Sequence, residues 1–204
     1  MISTNWLKVS HLHLISNHLE EYIDIVTKEG HPTGRSAPKS EIHSLGHYHH
    51  TIHVWLYTSD GEILLSQRSA SKVICPLLWD VSAAGHIDAG ESMLNAAIRE
   101  VQEEIGLTMK AQDLEKIGVF ECFQSYDNGI VDNEFHNTYV SKLKVDISNL
   151  TLQKEEVEAV KLVTLKEFRI LVEQAGIDNH FVESNKNYYR FVLKAIEEKL
   201  TPTL

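Results

Sequence analysis

The sequence predicts an α/β fold in which strands surround one central amphipathic helix, with further helices after it. Three observations predict it. Leu94, Ala97, Ile98, Val101 and Ile105 recur at helical spacing in mid-chain, which marks a helix with one apolar face on a core. Short segments of apolar alternation, several closed by glycine-containing turns, stand before and after that helix. Two more helical patterns close the chain. At 204 residues and 43% hydrophobic content, the chain can bury one sizeable core.

The elements follow in order. Residues 1–18 carry no clear signal. From Glu20 to about Gly34 the stretch EYIDIVTKEGHPTGR alternates and then meets Gly-His-Pro-Thr-Gly, which predicts a strand and turn forming a hairpin or sheet edge. Thr51 to Thr58 and Glu62 to Gln67 read as strands joined at Ser59-Asp60-Gly61. Leu77 to Ala84 reads as one short strand leading to the central helix. That helix should run from about Ser92 to Ile105 and stop where Gly106 can turn left-handed. Lys116 to Tyr126 and Asn133 to Val145 read as a hairpin around Asp127-Asn128-Gly129, and Glu158 to Val163 as a further strand. Phe168 to Gln174 and Tyr188 to Lys199 are helical patterns. Trp55, Trp79, Phe120, Phe123 and Tyr126 are all expected to serve mainly as core residues.

Net charge is −10 and no Lys/Arg cluster falls on any expected element. That argues against nucleic acid or an anionic membrane as the partner. Cys75 and Cys122 make no disulfide framework, no leader-like pattern stands at the start, and no apolar run approaches membrane-spanning length. The expectation is a cytoplasmic protein.

The chemistry concentrates in residues 85–107, GHIDAGESMLNAAIREVQEEIGL. They fit G-x5-E-x7-R-E-U-x-E-E-x-G-U, with U apolar, at every position: Gly85, Glu91, Arg99, Glu100, Glu103, Glu104 and Gly106 are the fixed residues. Seven such matches, at ordinary frequencies of about 7% each, coincide by chance in roughly one window in 10⁸. Glu100, Glu103 and Glu104 lie at i, i+3 and i+4, on one face of the last helical turns. Like charges at that spacing repel, and they crowd the end of the helix where the dipole is already negative. A cation relieves both penalties, and an all-oxygen ligand set points to Mg²⁺ first and Mn²⁺ second.

This pattern is the Nudix box, and the chain resembles the Nudix superfamily. The resemblance implies an α/β/α sandwich with a mixed sheet around the box helix. It also implies an N-terminal extension, residues 1–34, packed on a hydrolase domain of residues 35–204 that ends in helices. Members mostly hydrolyse a nucleoside diphosphate linked to another group. It further implies Glu100 and Glu104 as primary metal ligands, with the backbone carbonyl beside Gly85 joining them and Glu103 binding directly or through water. Glu91 and Arg99 would form a structural ion pair. A general base would come from Glu100, Glu103 or Glu134. Dimers are common in the superfamily, but no homodimer seam can be read from one sequence.

Outside the box, HYHHTIHVWLYTSDGEILLSQRSASK, WDVSAAGH and GIVDNE are similar to the branch that includes type I isopentenyl diphosphate isomerases. The likeness runs from about Glu20 to Val163. In that branch, two histidines before the first core strand, the His of Gly-His and two later acids hold a divalent metal. Their counterparts here are His43, His49, His86, Asp132 and Glu134, with His50 able to replace His49 if the register slips by one. Imidazole and carboxylate together suit Zn²⁺ or Mn²⁺ better than Mg²⁺. Arg68 and Lys72 match positions that grip the diphosphate of the substrate.

Two departures separate the chain from the isomerases. The isomerase Cys two residues before the Gly-His histidine is Ala84 here, and Cys75 is nine residues earlier, in a loop. The isomerases also keep little of the box beyond its last Glu, whereas this chain keeps all its acids. Both departures favour hydrolysis of a small-molecule diphosphate by water attack at phosphorus. The alternatives are an isopentenyl-diphosphate-isomerase-like activity and a non-catalytic module that senses a nucleotide.

Overall fold

A computed structural model describes residues 20–178 and 180–201. The first nineteen residues, where the expected N-terminal extension begins, lie outside the described residues. The elements are β1 (Tyr22–Val26), β2 (Pro32–Pro38), α1 (Lys39–Leu45), β3 (Tyr48–Tyr57), β4 (Glu62–Arg68), β5 (Trp79–Asp80) and β6 (Ala83–His86). They continue with α2 (Met93–Ile105), β7 (Glu115–Ser125), β8 (Val131–Lys142), β9 (Val157–Thr164), α3 (Leu165–Gln174) and α4 (Lys186–Leu200).

β3 organises the sheet. It pairs antiparallel with β1, β4 and β6 and parallel with β8, so the sheet is mixed as expected. β7 pairs with β8, β9 and β5 pair with β4, and β2 pairs with β1. The period-two alternation of β3 splits the core in two. Ile52, Val54 and Leu56 face α2, where Ala96, Ala97, Val101 and Ile105 are fully buried. Trp55 and Tyr57 face α3 and α4, against Phe168, Val172, Tyr188, Tyr189 and Val192. Helices on both faces of a sheet make the α/β/α sandwich, and each buried large apolar side chain contributes about 1.5–3 kcal/mol.

α2 begins where the Ser92 side chain accepts from the Asn95 N–H and ends at Gly106, whose φ of 70° is left-handed. The helix thus lies within a residue of its expected bounds. Three details differ from expectation. α1 was not anticipated, because seven residues with one buried side chain, Ile42, are too short to show a period. The stretch Leu77 to Ala84 is not one strand but two stubs, β5 and β6. Between them the Ser82 hydroxyl donates to the Leu64 carbonyl and accepts from the Leu56 N–H, replacing ladder bonds by side-chain bonds. Phe123 is 41% exposed and not core. Among the described residues β7 pairs only with β8, and one of its faces turns outward, where Phe123 packs edge-on against Tyr48 and Phe135. Among the described residues, no helix is long and apolar enough to cross a membrane.

Candidate active site

Two groups of side chains meet at β6. The first belongs to α2. The Arg99 guanidinium donates to both Glu91 oxygens, at 3.1 and 2.7 Å, and to the His86 carbonyl at 3.0 Å. Its remaining nitrogen reaches Glu100 at 2.7 Å and Glu103 at 3.1 Å. One planar fork therefore ties the loop before the helix to β6 and to two of the acids. Glu100 lies against Gly85 so closely that a Cβ there would land on its carboxylate. Glu104, 8% exposed, accepts the Ala84 N–H at 3.2 Å.

Burial pushes the Glu100 carboxyl up to about 7 despite the pull of Arg99, with Glu103 and Glu21 adding to the rise. Burial, followed by the charge of Glu100, holds Glu104 well above the ordinary carboxylate range. Two neighbouring carboxyl groups raised in this way could hold a cation between them.

The second group lies on the sheet face that also carries Trp55. The parallel pairing sets His49 beside Glu134, and β6 brings His86 beside Thr51. α1 carries His43 over them. One ring nitrogen from each of His43, His49 and His86 lies within 4.8 Å of the other two. Their hydrogen bonds orient them. The Nδ1 of His43 is 2.7 Å from Asp132 Oδ1, and the Nδ1 of His49 is 2.9 Å from the His47 carbonyl. A carboxylate and a carbonyl only accept, so both Nδ1 atoms donate and, in the neutral rings, both Nε2 atoms carry lone pairs. His43 Nε2 faces His86 Nε2 at 3.2 Å. His49 Nε2 is buried without a hydrogen-bond partner among the described residues, 3.5 Å from Glu134 Oε1. Three imidazoles converging in a buried place could hold a metal ion.

Burial resists charge on His49, but Glu134 and the His47 carbonyl outweigh it and raise its pKa. Burial alone would raise Glu134, yet the hydrogen bond from His136 and the neighbouring His49 ring hold it well below the usual range.

The other expected positions fall as follows. His50 points away from this group and bonds the Gly30 carbonyl at 3.1 Å, so of the two registers it is His49 that joins the cluster. Asp132 sits behind His43, on the ring edge opposite the nitrogen that faces His86. Arg68 is paired with Asp80 at 3.2 Å and donates to the Ile74 carbonyl, and Lys72 is paired with Glu156. Cys75 is half-buried in a loop with φ of 49°. Trp55 is fully buried, and the Lys161 ammonium covers Trp79 at 3.9 Å.

Sequence reasoning missed His53 and His136, which with Glu134 form a second close His/acid group. The signal was present. On β3 the alternate residues His49, Thr51, His53, Trp55 share one face, and on β8 Glu134, His136, Thr138 do the same. A run of polar residues on the inward face of two core strands marks a site.

The NUDIX domain family matches residues 47–184. The chain belongs to the Nudix family. Over 155 residues, 74% of its length, it is 42% identical to Nudix hydrolase 3 of Arabidopsis thaliana, of which it spans only 20%. It is 30% identical over 158 residues to isopentenyl-diphosphate Delta-isomerase 2 of Photorhabdus laumondii, covering 77% of this chain and 85% of that one. Among solved structures, DR0079 of Deinococcus radiodurans shares the fold, with a TM-score of 0.62 at 14% identity over 87% of this chain and 98% of that one. Both Nudix hydrolases and isomerases therefore stand among the relatives of this Nudix chain.

Proposed function

We propose that the chain is a metal-dependent Nudix hydrolase that cleaves a diphosphate linkage in a nucleotide or other diphosphate metabolite by water attack at phosphorus. One observation carries the reading. The acids of the box gather at β6, two of them held reluctant to ionise by burial, while Ala84 and no thiol stands two residues before His86.

Mg²⁺ or Mn²⁺ would be held by Glu100 and Glu104 with the carbonyl beside Gly85, and by Glu103 directly or through water. Bound there, the ion would neutralise phosphate charge and lower the pKa of water. The residues of the chain do the rest. Arg99 holds Glu100 and Glu103 in place while anchoring the loop through Glu91. The proton of the attacking water goes to a carboxylate, and the three candidates differ. Glu100, raised to about 7 by burial in the metal-free chain, would act as the base only when not itself bound to the ion. Glu103, half exposed and held by Arg99, is the most open to solvent of the three. Glu134, beside His49 and hydrogen-bonded by His136, suits a ligand role. Arg68 and Lys72 would grip the diphosphate by exchanging Asp80 and Glu156 for phosphate oxygens. His43, His49, His86 and Glu134 would hold a second divalent ion, Zn²⁺ or Mn²⁺, with Asp132 as a further ligand or as the partner that orients His43.

That histidine group supports a second reading, an isomerase acting on isopentenyl diphosphate, which Ala84 disfavours. A phosphate-release screen separates the two. It covers nucleoside di- and triphosphates, dinucleotides, nucleotide sugars, thiamine diphosphate and isopentenyl diphosphate, with Mg²⁺ and separately Mn²⁺, and a coupled phosphatase for monoester products. Turnover on one class supports hydrolysis and identifies the substrate class. Silence throughout, with isopentenyl diphosphate converted to its isomer, refutes it.

A further inference from the structure

We propose that His136, backed by His53 and Tyr188, is a positioning residue that holds the Glu134 carboxylate with one oxygen turned toward His49. The inference rests on the reading of His43, His49, His86 and Glu134 as a metal site, and adds a layer behind it.

The geometry runs in one direction. Glu134 and His136 are two residues apart on β8 and so share a face of the sheet. His136 Nε2 lies 2.9 Å from Glu134 Oε2; the carboxylate accepts, so the ring donates. The other oxygen, Oε1, is the one that lies 3.5 Å from the partnerless Nε2 of His49. A carboxylate with one oxygen satisfied by a fixed donor presents its second oxygen in a single direction, as a ligand must.

His136 is itself held. The His53 ring stacks on it at 3.8 Å between centroids and 22° between planes. His53 Nδ1 is 2.7 Å from the Tyr188 hydroxyl, to which the Trp55 indole N–H donates at 2.8 Å. Trp55 and Tyr188 are buried at the centre of the α4-side core, so this hydroxyl cannot drift. The sequence of supports therefore runs from the core through Tyr188, His53 and His136 to Glu134.

The same three residues, His53, Glu134 and His136, are close enough to suggest an ion of their own. The stack argues otherwise. A ligating imidazole lone pair lies in the ring plane, and two rings lying nearly parallel at 3.8 Å do not aim two in-plane lone pairs at one ion. His53 Nδ1 is also occupied by Tyr188.

The test measures Zn²⁺ binding to the full chain after metal removal, by competition with a chromophoric chelator, with excess Mg²⁺ present to occupy the box carboxylates. His136→Val removes the donor. His136→Gln retains an N–H near the position of Nε2. Tyr188→Phe keeps the ring and loses the hydroxyl. We expect His136→Val to weaken Zn²⁺ about 10–100-fold, His136→Gln to recover most of that, and Tyr188→Phe to lose a few-fold, all with wild-type Zn²⁺ stoichiometry. Thermal melting checks the fold, and Tyr188→Phe carries the test if the His136→Val variant does not fold. Wild-type affinity in folded His136→Val, or in Tyr188→Phe where His136→Val does not fold, overturns the proposal. Loss of one whole equivalent of Zn²⁺ also overturns it, because the three residues would then be a second ion site. Glu134→Gln distinguishes the levels. If it weakens Zn²⁺ and His136→Val does not, only this inference fails; if it leaves Zn²⁺ binding unchanged, the metal-site reading fails with it.

Discussion

Glu100→Gln should make the metal-free protein more stable at pH 8, with most of that gain absent at pH 5. Burial against Gly85 raises the Glu100 carboxyl from 4.5 to about 7. Between those values the folded chain holds a proton that the unfolded chain has released. The stability this group contributes is therefore fully present below 4.5 and lost as pH rises through 7. At about 1.4 kcal/mol for each pH decade, the loss reaches about 3 kcal/mol. The side chain is only 14% exposed, so solvent screening takes little from that figure. Glutamine cannot ionise and escapes the loss. Urea denaturation in EDTA should show Glu100→Gln gaining about 2–3 kcal/mol relative to wild type between pH 5 and pH 8. Glu104, raised by the same burial and by Glu100 itself, adds in the same direction. Mn²⁺ at pH 8 should then stabilise the wild type more than the variant, because an ion that binds only the folded state adds stability by mass action. A stability difference that is the same at both pH values would mean that Glu100 titrates as an ordinary carboxylate, and the argument that the box needs a cation would lose its basis.

Three further outcomes are expected. Glu104→Gln should lower turnover at least ~10²-fold with melting temperature unchanged or raised, since it removes metal catalysis and not packing; wild-type turnover would remove Glu104 from the ligand set. Gly85→Ala, whose Cβ would land on the Glu100 carboxylate, should cost a similar factor, measured by steady-state kinetics, while circular dichroism stays native. Arg99→Lys keeps the charge but cannot hold Glu91, the His86 carbonyl, Glu100 and Glu103 together, and should lower stability by about 1–3 kcal/mol in urea. An unchanged denaturation midpoint would show that the fork is ornamental.

The box helix was legible to within a residue because its signals are local: a serine cap, a 3.6-residue apolar period and a glycine stop. The hairpins were legible for the same reason. What escaped depended on pairings between distant segments. α1 lacks the length to show a period. The break at Ser82 exists because its hydroxyl finds the backbone of β3 and β4. The exposure of Phe123 depends on β7 having a partner on one side only. In the site, the register of His49 against His50 could not be decided from spacing, since either can precede a strand. It is decided by which face of β3 meets Glu134. His53 and His136 carry no signal when each is taken singly. Only the parallel pairing of β3 with β8 turns two scattered histidines into one stack.

β6 explains why the two groups are not independent. Its four residues alternate between the faces of the sheet. Gly85 turns to α2, where the absence of a side chain admits Glu100, and the Ala84 N–H holds Glu104. His86 turns the other way, to His43 and His49, while its carbonyl is tied back to Arg99. A shift of this strand large enough to reposition His86 must therefore also disturb the Arg99 fork and the seat of Glu100. The box acids need a small residue and a free backbone N–H at positions 84 and 85, and both are met here without any reactive side chain at 84. That combination suits a strand whose backbone serves the acids on one side while a single imidazole serves the other.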